Sequence, residues 1–162
     1  MKKIYIVRHA KSSWKDMSLH DFDRPLNKRG KLNAPLMGKR LKKKNILPDI
    51  MLSSSSLRTK LTAQVIAKKI KYTKDIIFKD EMYESNAAFL HEMLTELDDE
   101  NNSVFIFAHS SGLNMLAKDY VRFEENIPTC GIVEIEFDCE KWSEISAKNA
   151  KLISFDYPKK EN

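Results

Sequence analysis

The chain has 162 residues, 42% of them hydrophobic, and carries a formal net charge of +5. This length suits one domain with a substantial buried core, and we expect that domain to span residues 1–162. The apolar fraction is ordinary for a soluble protein, and the positive charge favours anionic partners without choosing among them.

The cysteines and the N-terminal stretch indicate the compartment. Cys130 and Cys139 are too few for a secreted domain stabilised by disulfides, so we expect free thiols in a reducing compartment. The apolar run that follows Met1 ends at Arg8, which is too short for the core of a signal peptide. No apolar run approaches the length of a membrane span. We therefore predict a cytoplasmic protein that does not bind a membrane.

The first predicted element is a strand, an apolar run from Ile4 to Val7 that is followed at once by Arg8 and His9. A short run of β-branched and aromatic residues is typical of a parallel strand buried on both faces. Because such a strand has no place for Arg8 and His9, they must lie at its carboxyl end. This is the edge at which open α/β sheets bind ligands.

A polar stretch from about residue 11 to 24 predicts a loop over this edge. Within it Trp14 is either a lid or, as we favour, a packed anchor of the loop. Residues from about 28 to 44 predict a helix that buries Leu32, Leu36 and Leu41. Pro35 means that this helix either kinks there or begins near Asn33. The lysine-rich end of the helix is interpreted as a solvated face rather than as a nucleic-acid site.

A second strand is predicted from Asp49 to Ser53, and the next helix begins within the run Ser53–Ser56 because serine is a good N-cap. The helix dipole opposes the charge of Arg58 in the first turn, and a bound anion would remove that conflict. The alternative is a surface arginine that pairs with a nearby carboxylate. The buried stripe of this helix is expected to contain Leu57, Leu61, Val65, Ile66 and Ile70.

The second half of the chain repeats the pattern of strand and helix. Ile76–Phe78 predicts a third strand, followed by a polar loop over residues 79–85 and a helix through Phe89–Leu97. Val104–Ala108 predicts a fourth buried strand that ends in His109, and Ser110 or Ser111 is expected to cap the following helix. Two more strands are expected within residues 131–137, nearer the sheet edge, and 142–155. The tail over residues 158–162 is expected to be loose.

The repeated pattern implies an α/β fold with right-handed crossovers and parallel strands. Arg8, His9, Arg58 and His109 then converge at one edge of the sheet. Guanidinium groups bind phosphate oxygens in pairs, and a neutral histidine can attack phosphorus. Because cationic side chains can supply the charge stabilisation, we expect neither a metal nor a cofactor. His20 and His91 are expected to be surface groups.

Four segments resemble motifs of the histidine phosphatase (phosphoglycerate mutase-like) superfamily. Arg8–His9 resembles its Arg-His-Gly motif, with Ala10 in place of glycine. Ser53–Thr59, with Thr62, resembles its Ser-Ser-x-x-x-Arg-x-x-x-Thr segment. Phe107–Asn114 resembles its second histidine motif, and Asp23–Gly30 is similar to its Arg-Pro-Leu-Thr-x-x-Gly segment. The segments occur in order over most of the chain.

The resemblance implies a three-layer α/β/α sandwich with a mostly parallel central sheet. It also implies that His9 is the nucleophile and that Arg8, Arg58 and His109 hold the phosphate, with a further contact from Arg24. Glu84, with Glu81 close by, lies about where the superfamily places its general acid; the alternative is a solvated loop glutamate. The short interval between Arg58 and His109 leaves room only for a small cap, as in the SixA-type phosphohistidine phosphatases.

The favoured hypothesis is thus a phosphatase that removes phosphate from phosphohistidine on a protein through an enzyme phosphohistidine. A phosphatase for a small phosphate ester is the first alternative, and a working Glu84 acid would favour it. A non-catalytic phosphate-binding module is the second, since Ser110 and Ser111 replace the motif's Asn-Pro. Nucleic-acid binding is not expected, because the lysine-rich helix has no interleaved aromatic residues.

Overall fold

A computed structural model describes residues 1–160, which form six strands and four helices. The strands are β1 (Lys2–Arg8), β2 (Ile50–Ser54), β3 (Ile77–Lys79), β4 (Ser103–Ala108), β5 (Ile132–Phe137) and β6 (Ala150–Asp156). The helices are α1 (Lys28–Lys43), α2 (Leu57–Ile70), α3 (Ala87–Thr95) and α4 (Ser110–Val121). Short 3-10 helices cover Asp21–Asp23, Asp80–Met82 and Trp142–Glu144.

The six strands form one mixed sheet in the order β3-β2-β4-β1-β5-β6. The first four strands in this order are parallel, whereas β5 and β6 run antiparallel to their neighbours. The predicted mostly parallel sheet is therefore confirmed. The strand predicted over 131–137 lies second from one edge, and β6 forms that edge.

Two hydrophobic clusters lie on opposite faces of the sheet, which confirms the α/β/α sandwich. On one face α3 and α4 pack Leu90 and Leu116 against sheet residues such as Ile6 and Ile106. On the other face α1 and α2 pack Met37 and Ile66 against Tyr5, Phe105 and Phe107. Successive side chains of β1 and β4 point to alternate faces, so these strands are buried on both sides.

Helix α1 begins at Lys28, before Pro35, and not near Asn33. Its N-cap is Asn27, whose side-chain oxygen accepts the N–H of Gly30 at 2.8 Å. The helix continues through Pro35, so the start near Asn33 is wrong. Pro35 has no N–H to donate to the carbonyl of Lys31, and packing of the remaining turns offsets that loss.

The buried faces of α1 and α2 also differ from the predicted stripes. Leu32 is 64% exposed and Leu36 38% exposed, and of the predicted residues of α1 only Leu41 is buried. In α2 the predicted Leu57, Leu61 and Val65 are only partly buried. The buried residues of α1 are Gly30, Ala34, Met37, Gly38 and Leu41, and those of α2 are Arg58, Thr59, Thr62, Ala63, Ile66, Ala67 and Ile70.

The two helices use small residues because they approach closely. A Cβ atom added to Gly38 of α1 would lie only 2.7 Å from the Cβ of Lys69 in α2. A leucine stripe cannot fit into such a contact, so Leu32 and Leu36 of α1 turn toward solvent.

The C-terminal tail is held in place as far as residue 160, so the prediction of a loose tail is wrong for that part. The guanidinium of Arg40 donates to Asp156 and to the carbonyls of Tyr157, Pro158 and Lys160. Residues 161–162 lie outside the described part of the chain. Both cysteines are free, Cys130 buried and Cys139 partly buried. No helix within residues 1–160 is long and apolar enough to cross a membrane.

Candidate active site

The ends of the central strands bring the four predicted residues Arg8, His9, Arg58 and His109 together. β1 and β4 are parallel neighbours with Arg8 beside Ala108, so His9 and His109 follow at adjacent strand ends. Their ring centroids are 5.3 Å apart. β2 lies on the other side of β4 and leads through the serine run into α2, whose first turn carries Arg58.

His9 is held in one tautomer. Its Nδ1 lies 2.7 Å from the carbonyl oxygen of Ala10, which can only accept, so Nδ1 carries the proton and Nε2 keeps a free lone pair. The side chain is buried, and burial lowers the pKa of His9 to about 3. The hydrogen bond to Ala10 opposes this shift, while charge on His109, Arg58 and Arg8 adds to it. His9 is therefore neutral, with an unprotonated Nε2.

The backbone around His9 is fixed on two sides. The Ala10 N–H donates to Thr62 Oγ1 at 2.9 Å, and the same hydroxyl donates to the carbonyl of Arg58 at 2.7 Å. On the other side the backbone N–H of Cys130 donates to the carbonyls of Arg8 and His9. One hydroxyl thus joins the end of the strand that leads to His9 to the helix that carries Arg58.

His109 contacts the serine run at the end of β2. Its Nε2 lies 3.0 Å from Oγ of Ser54, and the ring of Tyr83 meets its ring edge-on with centroids 5.4 Å apart. Burial lowers the pKa of His109 to about 4; the charge on Arg58 acts in the same direction, and Asp21 opposes it. His109 is also the N-cap of α4, which begins at Ser110, so the prediction of Ser110 or Ser111 as cap is wrong.

Each arginine keeps one buried donor free. Arg8 Nη1 donates to the carbonyl of Ile127 at 2.9 Å, and burial lowers the pKa of Arg8. Arg58 Nη2 donates to Asp21 Oδ2 at 2.8 Å and Nη1 to the Asp21 carbonyl at 2.6 Å. The Nε–H groups of both arginines are buried and have no hydrogen-bond partner within residues 1–160. Such donors are costly unless a ligand satisfies them, which suits an anion.

Asp21 is a site residue that the sequence analysis missed. Its carboxylate accepts from Arg58, from Arg24 Nη2 at 3.0 Å and from the hydroxyl of Tyr83 at 2.6 Å. Partial burial acts to raise the pKa of Asp21, but the hydrogen bonds from Tyr83 and Arg58 and the charge of Arg58 lower it to about 2. Asp21 therefore stays ionised and orients Arg58. A single loop aspartate has no sequence signal that would have identified it.

Arg24 is buried, and its contacts lie in the loop that precedes α1. Besides Asp21, its guanidinium donates to the carbonyl of Ser13 at 3.4 Å and stacks on the ring of Trp14, 3.5 Å from the centroid. Trp14 itself is 65% exposed. Arg24 thus contacts Arg58 through Asp21 and supports the 11–24 loop.

The structure does not bring Glu84 or Glu81 into contact with the histidines. Both are exposed, and neither forms a side-chain hydrogen bond or ion pair within the described residues. Glu84 has a φ of 58°, the left-handed conformation. Of the other histidines His20 is exposed, whereas His91 is partly buried and pairs with the Tyr120 hydroxyl at 2.6 Å, so its prediction as a surface group is wrong.

A three-layer α/β/α sandwich with two histidines and two arginines at the carboxyl ends of its central strands defines the class of histidine phosphatases. The family model of the histidine phosphatase superfamily (branch 1) matches residues 4–104, and the chain belongs to this family. Within residues 1–160 no group of three or more His, Cys, Asp or Glu side chains is placed to hold a metal ion.

Two curated relatives match part of the chain. It is 38% identical over 69 residues to an uncharacterized chloroplastic protein of Arabidopsis thaliana, and 33% identical over 98 residues to phosphoserine phosphatase 1 of Hydrogenobacter thermophilus. The matched regions make up 43% and 59% of this chain. The chain spans only 32% and 44% of the lengths of these relatives.

Solved structures match nearly the whole chain. A candidate phosphohistidine phosphatase SixA from Agrobacterium tumefaciens has a TM-score of 0.84 and 24% identity, over 97% of this chain and 99% of that one. The protein histidine phosphatase SixA complexed with tungstate has a TM-score of 0.80 and 19% identity, over 96% and 97%. At these identities the likeness shows a shared fold, which is phosphoglycerate mutase-like.

Proposed function

We propose that this protein is a phosphatase that removes phosphate from phosphohistidine on another protein, with His9 as the nucleophile. One observation carries the proposal: the Nδ1–H of His9 donates to the Ala10 carbonyl and leaves Nε2 unprotonated. The low pKa of His9, which burial causes, keeps the ring neutral in the unliganded site. A neutral imidazole in a fixed tautomer is what attack on phosphorus requires.

The proposed reaction has two steps. Nε2 of His9 forms a bond to phosphorus while the P–N bond of the substrate breaks. The substrate ring, protonated on its second nitrogen, takes the electron pair and leaves as neutral imidazole. Water then attacks the phosphorus on His9 and releases inorganic phosphate. The free Nε–H groups of Arg8 and Arg58, together with His109, hold the equatorial oxygens. Because these groups supply the positive charge, the proposed reaction uses no metal and no cofactor.

The surroundings of the site support phosphohistidine as the substrate. An imidazole leaves as a weak base, with an ordinary pKa of about 6.5, whereas an alkoxide needs a general acid to protonate it. Asp21 is ionised and paired with Arg58 and Arg24, and Glu84 is exposed, so neither carboxyl is poised as that acid. The fold shared with two SixA proteins supports the same choice.

A small phosphate ester is the second candidate substrate. The likeness to a phosphoserine phosphatase of Hydrogenobacter thermophilus favours it. In this case the polar loop would have to swing Glu84 toward the leaving oxygen, and Glu84→Gln would lower kcat. In the favoured case Glu84→Gln leaves the turnover of phosphohistidine unchanged.

The proposal includes the setting of the reaction. The free thiols of Cys130 and Cys139 support a reducing compartment, and we place the protein in the cytoplasm as one domain over residues 1–162. Its partner is then a phosphorylated protein of the same compartment.

Rapid-quench experiments with a protein that carries ³²P-phosphohistidine test the proposal. Wild type is expected to acquire an acid-labile, base-stable label, and His9→Ala is expected to acquire none. Phosphohistidine should be hydrolysed much faster than phosphoserine. If His9→Ala is labelled as wild type is, the nucleophile is a different residue. If the substrate binds and no label transfers to wild type, the protein is a phosphate-binding module.

A further inference from the structure

Three adjoining surface cavities run along the N-terminal half of α1. The first and second share Lys11, Arg29 and Asn33, and the second and third share Asn27 and Lys28. Their volumes are about 300, 590 and 700 Å³. Because they share lining residues, together they form one groove along the helix, with far more room than a single small phosphate needs.

The lining of this groove is strongly basic. Among the lining residues within 1–160, the only carboxylate is that of Asp16, which accepts hydrogen bonds from the backbone and hydroxyl of Ser18. None of the lining cations forms an ion pair within residues 1–160. We call these cations the basic band: Lys11, Lys15, Lys28, Arg29, Lys31 and Lys159.

Three members of the basic band lie where they destabilise the helix that carries them. Lys28, Arg29 and Lys31 are in or next to the first turn of α1, which contains no acidic residue. The positive end of the helix dipole opposes cations at this position, whereas it favours those in the last turn, such as Lys42 and Lys43. Stability of the helix does not account for these three charges, but binding of an anionic partner does.

The basic band borders the proposed active site. Lys11 follows His9 by two residues, and its carbonyl is only 2.3 Å from the position of a Cβ on Gly30, so α1 packs directly on the strand end. Thr129 lines the same groove and adjoins Cys130, whose N–H bonds to the carbonyls of Arg8 and His9. A protein whose phosphate reaches His9 would therefore cover the groove with its own surface.

We propose that the basic band binds an acidic surface of the phosphorylated protein, next to its phosphohistidine. This inference rests on the proposed function and adds the kind of partner: a protein with carboxylates beside its phosphorylated histidine. Nucleic acid fits the groove less well, because bases need free aromatic faces. In the part of the lining that the structure describes, Tyr157 is the one aromatic side chain, and it packs against Phe155 with ring centroids 5.1 Å apart.

Matched variants on one helix isolate the basic band. The band variant is Lys28→Ala/Arg29→Ala/Lys31→Ala, and the control is Lys39→Ala/Lys42→Ala/Lys43→Ala at the other end of α1. All six residues are exposed, and each variant removes three positive charges. The thermal midpoint should rise in the band variant and fall in the control, because only the control loses favourable contacts with the helix dipole.

The probes are two synthetic peptides phosphorylated on one histidine, one flanked by glutamates and the other by glutamines. We expect wild type to hydrolyse the acidic peptide with a kcat/KM about tenfold higher than that of the neutral peptide at low ionic strength. The band variant should lose this preference for the acidic peptide, and the control should keep it. Added salt should reduce the preference of wild type. Equal ratios in the two variants would overturn the inference.

Binding of the unphosphorylated acidic peptide, followed by fluorescence anisotropy, separates this inference from the proposed function. If neither peptide is hydrolysed but the acidic one binds wild type and not the band variant, the docking surface stands and phosphohistidine hydrolysis fails. If the acidic and neutral peptides are hydrolysed equally and neither binds through the basic band, the docking inference is wrong while the proposed phosphohistidine hydrolysis stands. The inference would also be overturned if a single-stranded oligonucleotide of equal charge bound more tightly than the acidic peptide.

Discussion

The two histidines lie beside two arginines, and burial keeps both rings neutral. Their pKa values, about 3 for His9 and about 4 for His109, lie below the ordinary value of 6.5. In the proposed reaction, a neutral pair leaves Nε2 of His9 free to attack, while the arginines supply the positive charge. The proposed reaction thus separates the nucleophile from the charge that binds phosphate.

The same burial makes stability depend on pH. The unfolded chain binds a proton at His9 below about pH 6.5, whereas the folded chain binds it only near pH 3, so stability falls as pH falls through that window. His9→Asn keeps an N–H near the Ala10 carbonyl but does not titrate. Between pH 6 and 4.5 we expect wild type to lose about 2 kcal/mol more than His9→Asn.

Urea unfolding of both proteins at several pH values measures this difference. The other titrating groups are common to both proteins and cancel in the comparison. If the free energy of unfolding falls equally with pH in the two proteins, His9 is not buried in its neutral form.

Asp21 is the second residue whose charge matters, since it holds Arg58 through two hydrogen bonds. Asp21→Asn keeps the shape but removes the negative charge, and we expect kcat/KM for phosphohistidine to fall about tenfold because Arg58 is less well positioned. The matched control is Asp23→Asn in the same 3-10 helix, where the side chain is exposed and unpaired within residues 1–160. Equal activity of the two variants would exclude a positioning role for Asp21.

At the scale of elements, the strands were easier to predict than the helix faces. The runs Ile4–Val7 and Val104–Ala108 are continuous and apolar and end in polar residues, a pattern that indicates both a buried strand and the edge of a site. The predicted buried faces of α1 and α2 are wrong because a search for hydrophobic periodicity favours large residues such as leucine. The close contact of α1 and α2 instead requires glycine and alanine, as at Gly38.

Another close contact, at Gly112 in α4, positions the polar loop that carries Tyr83. A Cβ on Gly112 would lie 2.3 Å from the carbonyl oxygen of Ser85. Helix propensity alone would make Gly112→Ala stabilising by about 1 kcal/mol, but the clash must displace the loop. We expect a net destabilisation of about 1–3 kcal/mol and a loss of activity as Tyr83 moves away from Asp21 and His109.

Denaturant unfolding and peptide turnover measure the two effects of Gly112→Ala. Ser111→Ala on the same turn is the control, since Ser111 is exposed and shortening its side chain creates no clash. A more stable Gly112→Ala with full activity would mean that the loop does not depend on this contact.

For the whole molecule, the sequence predicts which residues end the strands but not the order of the strands. Repeated strand and helix imply parallel strands, and this is enough to bring Arg8, His9, Arg58 and His109 to one edge. Nothing in the apolar runs indicates that β1 lies between β4 and β5. The hydrogen bond from the Tyr83 hydroxyl to Asp21 likewise cannot be predicted from the sequence, because it joins two loops that are distant in sequence.

The central place of β1 has a consequence for synthesis on the ribosome. β1 emerges well before β4 and β5, since Lys3 pairs with Ser103 and Val7 with Ile132, so both of its neighbours are translated much later. Until they emerge, the nascent chain presents an unpaired apolar strand that other chains or chaperones can bind. Under the proposed function, dephosphorylation begins only after β5 has been made, and a truncated product that lacks β4 or β5 cannot act on a phosphorylated protein.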